Sequence, residues 1–252
     1  MRSSAADVLR MWVDFDGTLV EPNVAIILVA EFARDGERVA NEIDEELHAG
    51  KITLRQAWER QVALLPADRM EEMARWAVRN TPLRSGAHEL LELLDRHHVP
   101  TAIVSGGLDF YIGPILKHSG IDLPVFSDAL AFQPPDRLVL SHPYGHATCR
   151  LCGICKAQTV RDAFDDRRRS VFIGDGSTDK FAAEVADIVF ARRRLRAYCE
   201  ASKIPYVAFE EFGPVTEKLR RWFEGEEPLP APRHLGLADS ACPISRACDA
   251  AT

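Results

Sequence analysis

Asp14 and Asp16, separated by one residue, close an apolar run in MWVDFDGTLV (residues 11–20), directly before Gly17 and Thr18. Two more polar clusters end similar runs. VSGG places Ser105, Gly106 and Gly107 after TAIV, and GDGSTD places Asp175, Gly176, Ser177 and Asp179 after VFI. In extended backbone, side chains two positions apart point the same way, so Asp14 and Asp16 share a face while Phe15 turns to the apolar layer. One carboxylate at a strand end serves equally well as the N-cap of the next helix. Three such loops together read as one ligand site, because open α/β sheets bind ligands beyond the carboxyl ends of their strands. A calcium loop is excluded: counted from Asp14, its glycine and glutamate positions hold Leu19 and Ala25. The chain contains neither a GxxxxGK[ST] nucleotide loop nor a GxGxxG after a strand.

The elements that must position these loops follow from periodicity. Residues 8–14 read as a buried strand. From about Asn23 to Asn80 the pattern is helical, in VAIILVAEFAR, RVANEIDEELHAG and LRQAWERQVALL, with no strand between. After Pro82, helices alternate with strands. GAHELLELLDRHH is a helix with Ser85 as its N-cap, TAIVS a strand, FYIGPILKHSG a helix, VFIGD a strand and FAAEVA a helix. Such alternation predicts an α/β fold with a parallel sheet covered on both faces. Short strands VFSDAL and RLVLS flank the turn residues PPD in a less regular stretch. From Gly225 the chain is rich in Pro, Ala and Ser without periodicity and reads as a disordered tail.

With 252 residues and 46% hydrophobic composition, the chain can bury a full core, as one large domain or a core with one insertion. Its formal charge of -7 offers no basic footprint for nucleic acid. No apolar run approaches the roughly 18 residues of a membrane span. MRSSAADVLR lacks an apolar signal core, so a soluble, cytoplasmic protein is expected, of undecided oligomeric state.

DFDGT, VSGG, Lys156 and GDGSTD occur in the order and approximate spacing of the four motifs of haloacid dehalogenase-like phosphohydrolases, which this chain resembles from about Leu9 to Ala191. Within that family it resembles the phosphoserine phosphatase branch. It is closer still to the methionine-salvage phosphatases acting on 2-hydroxy-3-keto-5-methylthiopentenyl-1-phosphate, through VSGGLDFYIGPIL, ALLP and the cysteines running into CK. The resemblance implies a Rossmann-like core from residues 1–20 and 82–224, a small helical cap at 21–81, and a tail at 225–252.

It also implies Mg²⁺-dependent hydrolysis of a small phosphorylated metabolite. Asp14 would be the nucleophile, forming an aspartyl phosphate, and Asp16 the general acid and then base. Mg²⁺ would be held by Asp14, the main-chain carbonyl of Asp16 and Asp175, with Asp179 orienting the shell; Asp179 serves equally as a helix N-terminal carboxylate. Thr18, Ser105, Gly106 and Lys156 would bind the phosphate, although a lone lysine is more often a surface group. Phosphoserine phosphatases carry a glutamate and a cap arginine for their zwitterionic substrate, and this chain places Asn23 and Gln61 at those positions. Arg60 and Glu21 take over those roles only with a slipped register. Other outcomes are a phosphoserine phosphatase, a phosphatase of a specialised biosynthetic pathway, a phosphomutase, and a catalytically silent sensor that binds phosphate esters.

HPYGHATCRLCGICK gathers His146, Cys149, Cys152 and Cys155 at spacings that suit a structural zinc site bracing the loop before Lys156. Plain reduced thiols in a turn fit the same spacing.

Overall fold

The computed structural model describes residues 5–163, 168–231, 233 and 242. Seven strands form one sheet: β1 (Leu9–Val13), β2 (Thr101–Leu108), β3 (Val125–Gln133), β4 (Arg137–Ser141), β5 (Arg169–Gly174), β6 (Ile188–Ala191) and β7 (Val207–Ala208). Their spatial order is β4-β3-β2-β1-β5-β6-β7. All neighbours run parallel except β3 and β4, which pair antiparallel. The expected strand at 8–14 is shorter, because Val8 belongs to a 3-10 turn and is 37% exposed.

Alternation along each strand sends neighbours to opposite faces. Met11, Val13, Ile103, Val171 and Ile173 join one apolar cluster with α5 (Ala87–Arg96), α6 (Asp109–His118) and α10 (Phe212–Phe223). Trp12, Ala102, Val104 and Phe172 join the other, with α7 (Lys156–Asp162), α8 (Lys180–Val185) and α9 (Arg193–Ala201). Both faces are covered, as expected for a parallel sheet. Successive strands run outward from β1 in opposite directions, toward β3 on one side and β7 on the other. This strand reversal leaves a crevice at the carboxyl end of β1.

Between β1 and β2 lie four helices, α1 (Val24–Phe32), α2 (Gly36–His48), α3 (Leu54–Val62) and α4 (Met70–Asn80). The chain enters and leaves this block side by side, through an antiparallel bridge between Val20 and Leu83. A capping box starts α3: Thr53 Oγ1 accepts from the Gln56 amide at 3.2 Å, and Gln56 Oε1 accepts from the Thr53 amide at 2.9 Å. The N-cap of α5 is Gly86, not Ser85, since the chain turns there through φ +80° without a side-chain cap. Of the expected tail, residues 225–231, 233 and 242 are described and the remainder lies outside the described residues. Among the described residues no helix is long and apolar enough to cross a membrane.

Candidate active site

The loop after β1 reverses within a few residues. The Leu19 amide returns to Asp14 O at 3.2 Å and the Gly17 amide bonds Pro22 O at 3.0 Å. Gly17 sits at φ +74°, a conformation glycine adopts without steric cost, and a Cβ there would meet Asp175 Oδ2 at 2.6 Å. Close approach of backbone to carboxylate thus explains the glycine in DFDGT. In the second loop, Ser105-Gly106-Gly107 lie inside β2, where its register against β3 shifts between Val104 and Leu108. Ser105 Oγ accepts from the Gly107 amide at 2.9 Å, and a Cβ on Gly107 would meet Asp16 Oδ2 at 2.5 Å.

Three carboxylates converge. Among the described residues, Asp14, Asp175 and Asp179 form the one group of His, Cys, Asp or Glu whose ligand atoms all lie within 4.8 Å of one another. Lys156 Nζ donates to Asp14 Oδ1 at 2.5 Å and Asp179 Oδ1 at 2.6 Å. Asp179 Oδ2 accepts from the amides of Asp175 at 3.0 Å and Gly176 at 2.8 Å, so it holds the third loop as well as Lys156. Burial and the charge of Asp179 raise the Asp14 carboxyl well above the usual range. Burial, then Asp179, pushes Asp175 up to about 6. Burial opposes the charge on Lys156, but Asp14 and Asp179 outweigh it and hold the ammonium above the ordinary lysine range. Desolvated carboxylates so close together favour a cation between them. The donor set fits a hard, oxygen-seeking ion.

Asp16 is placed apart from this cluster. Its Oδ1 accepts from the Val24 amide at 2.8 Å and its Oδ2 from Tyr111 Oη at 3.0 Å, while burial pushes its carboxyl up to about 6. A metal role for its side chain is therefore not what this arrangement offers. Thr18 is fully buried, with Oγ1 at 3.1 Å from Asp14 Oδ2 and 3.2 Å from Asp175 Oδ1, and is not among the residues lining the adjoining cavity. Its hydroxyl lies between those two carboxylates.

That cavity, about 400 Å³, opens over Asp14, Asp16, Ser105, Gly106 and Asp175. Leu54, Ala57, Trp58 and Gln61 line it from α3, at the i, i+3, i+4, i+7 spacing of a single helix face. Trp58 Nε1 donates to Gly106 O at 2.6 Å, tying that helix to the second loop. Asn23 and Gln61 are among the lining residues, whereas Glu21 and Arg60 are not; Arg60 pairs with Glu46.

The cysteine loop does not gather the expected zinc set. His146 Nδ1 accepts from the Cys149 amide at 3.2 Å, and the four groups fall outside the metal-ligand spacing that the three aspartates meet. Cys149, Cys152 and Cys155 are free thiols, and burial with the neighbouring thiols pushes Cys152 up to about 12. They border a small cavity that Cys242 also reaches.

Several residues escaped the sequence reading. Arg84 and Arg192 contact the loop after β1, Tyr111 holds Asp16, and Arg193 and Arg194 line the cavity from the end of β6. A fourth polar strand end, FARRR, was the available signal for the last three arginines.

A mostly parallel sheet with carboxylates at two strand ends, a serine-glycine loop at a third and a lysine clamped between two of the aspartates defines a phosphatase of the haloacid dehalogenase-like type. The chain belongs to that family: the model for haloacid dehalogenase-like hydrolases matches residues 12–184. It is 26% identical over 226 residues to the 2-hydroxy-3-keto-5-methylthiopentenyl-1-phosphate phosphatases of Bacillus cereus (strain AH187) and Bacillus anthracis, covering 86% of this chain and 98% of theirs. Among solved structures, a phospho-aspartyl intermediate analogue of phosphoserine phosphatase superposes with a TM-score of 0.64 at 20% identity, covering 84% of this chain and 97% of that one. A phosphoserine phosphohydrolase-like protein from Francisella tularensis gives 0.65 at 17% identity, with 83% and 99% covered.

Proposed function

We propose that this phosphatase hydrolyses a small, non-zwitterionic phosphate monoester through an aspartyl phosphate, with the methylthiopentenyl phosphate of its relatives as the leading substrate. The observation that carries the reading is the uncharged, partly apolar stretch of cavity wall that α1 and α3 supply. Asn23 and Gln61 line the cavity where a zwitterion would need an acid and an arginine, beside Ile26, Leu47, Leu54 and Trp58. Such a wall suits a thioether chain.

Asp14 attacks phosphorus, forming its own P–O bond as the ester P–O bond breaks, and Asp16 gives its proton to the departing alkoxide. A carboxyl raised to about 6 by burial is suited to hold that proton near neutral pH. Asp16 then takes a proton from water, whose oxygen attacks the acyl phosphate, releasing phosphate and regenerating Asp14. Asp14 and Asp175 would hold Mg²⁺, with the carbonyl of Asp16. When bound there, Mg²⁺ offsets repulsion between Asp14 and the phosphate and polarises the phosphoryl oxygens. Lys156 holds Asp14 in place and offsets its charge, while Ser105 and the Gly106 amide receive phosphate oxygens. The block from α1 to α4 acts as the cap that excludes water.

Phosphate release across a panel of metabolite esters, with and without Mg²⁺, tests the reading. Asp14→Asn should fold normally and release none. Phosphoserine as the best substrate overturns the substrate assignment, and wild-type turnover in the asparagine variant overturns the mechanism.

A further inference from the structure

Three consecutive arginines leave β6 at the carboxyl edge of the sheet, and each meets a different fate. Arg192 is buried, donating to Gly17 O at 3.1 Å and to Glu210 at 3.3 Å. Arg194 reaches across to α2, where it contacts His48 and lies 3.9 Å from Asp44 Oδ2. Arg193 lines the active-site cavity with its side chain 57% exposed, and its charged partner is Asp175 Oδ2 at 3.8 Å, beyond hydrogen-bond reach. The backbone at Arg193 is left-handed, φ +43°, which side-chain-bearing residues rarely adopt unless their surroundings hold them there. They do so here. The Arg192 amide bonds Gly174 O at 3.2 Å and the Leu195 amide bonds Asp175 O at 2.9 Å, fastening both flanks of Arg193 to the third catalytic loop.

We infer that Arg193 binds a second oxyanion of the substrate, so that the cavity selects phosphate monoesters carrying a further acidic group, a carboxylate or an ionised enol, without an ammonium. This rests on the phosphatase reading above. A guanidinium stays charged at all working pH values and pairs with a planar oxyanion through two donors. A cation held by Asp175 would compete with Arg193 for that carboxylate, and the guanidinium would remain at the cavity. The cavity offers an ammonium no comparable partner outside the phosphate end: Asp44 is already met by His48 at 3.2 Å and by Arg194, and Asn23 and Gln61 are neutral.

The test compares 3-phosphoglycerate with propyl phosphate, which shares the three-carbon chain and lacks the carboxylate, on wild type, Arg193→Met and Arg193→Lys. Arg193→Met should lower the ratio of kcat/KM for the carboxylate ester over the plain ester by about 30-fold or more, chiefly through KM. Arg193→Lys should recover part of that ratio. A ratio unchanged by Arg193→Met overturns the inference. So does an equal fall on both esters, which would assign Arg193 to the transferring phosphoryl group. Absence of phosphate release by wild type would instead count against the phosphatase reading. Calorimetric titration of both esters into wild type and Arg193→Met still decides the inference then, with selective loss of 3-phosphoglycerate binding supporting it and equal binding overturning it.

Discussion

Arg84 and Arg192 donate to the same main-chain oxygen, the carbonyl of Gly17, at 2.8 and 3.1 Å. Arg84 also donates from Nε to Thr18 O at 2.8 Å. Two buried guanidiniums thus grip consecutive carbonyls of the loop that carries Asp14. Burial, then the charge of Arg192, lowers the pKa of Arg84, so this contact opposes charge repulsion and desolvation. The loop geometry is what it secures.

Arg84→Met should leave Thr18 O without that donor, lowering stability by about 1–3 kcal/mol and kcat by roughly 10- to 100-fold. Arg84→Lys should rescue little, because one ammonium cannot reproduce a two-pronged contact. Denaturant unfolding and steady-state kinetics check both values. Full activity in a destabilised Arg84→Met protein would reduce the arginine to scaffold.

Gly17→Ala combines a strained left-handed φ with a Cβ 2.6 Å from Asp175 Oδ2. The expected outcome is at least a 100-fold loss of kcat/KM and about a 10-fold weaker Mg²⁺ requirement constant, with stability reduced by about 1–2 kcal/mol. Activity measured against Mg²⁺ concentration reads the effect. An unaltered Mg²⁺ curve would separate Asp175 from the metal.

Asp128 lies away from this chemistry, fully buried beside His142 Nδ1 at 2.9 Å, and burial pushes its carboxyl up to about 6. An acid raised on folding contributes stability that is complete below its unfolded pKa, near 4, and is lost as pH rises through 6. Asp128→Asn keeps an acceptor for the imidazole N–H and cannot ionise. Relative to wild type it should therefore gain stability between pH 4.5 and 7.5, by about 1–3 kcal/mol. Urea unfolding at the two pH values measures it, and a pH-independent difference would contradict the shift.

Much of the fold was legible because its signals are local. The apolar runs of β1, β2 and β5 and the polar residues closing them identified the strand ends, and helical periodicity marked the block between β1 and β2. The α3 register was legible too, since a helix turns about 100° per residue and so separates Gln61 from Arg60. The contact of Thr18 with Asp175 was not legible, because its neighbours in sequence say nothing of a residue that the crevice brings beside it. Arg193 went unread for a similar reason: a basic run after a strand is ordinarily solvated surface.

The sequence alone determined which residue types sit at the ends of β1, β2 and β5, because strand, turn and glycine are set by interactions within a few residues. Tertiary structure alone decided their charge states and partners: Lys156 between Asp14 and Asp179, Tyr111 on Asp16, and two arginines on one carbonyl. Those depend on distances across the sheet and on exclusion of water. Both are properties of packing, which no local stretch of chain encodes.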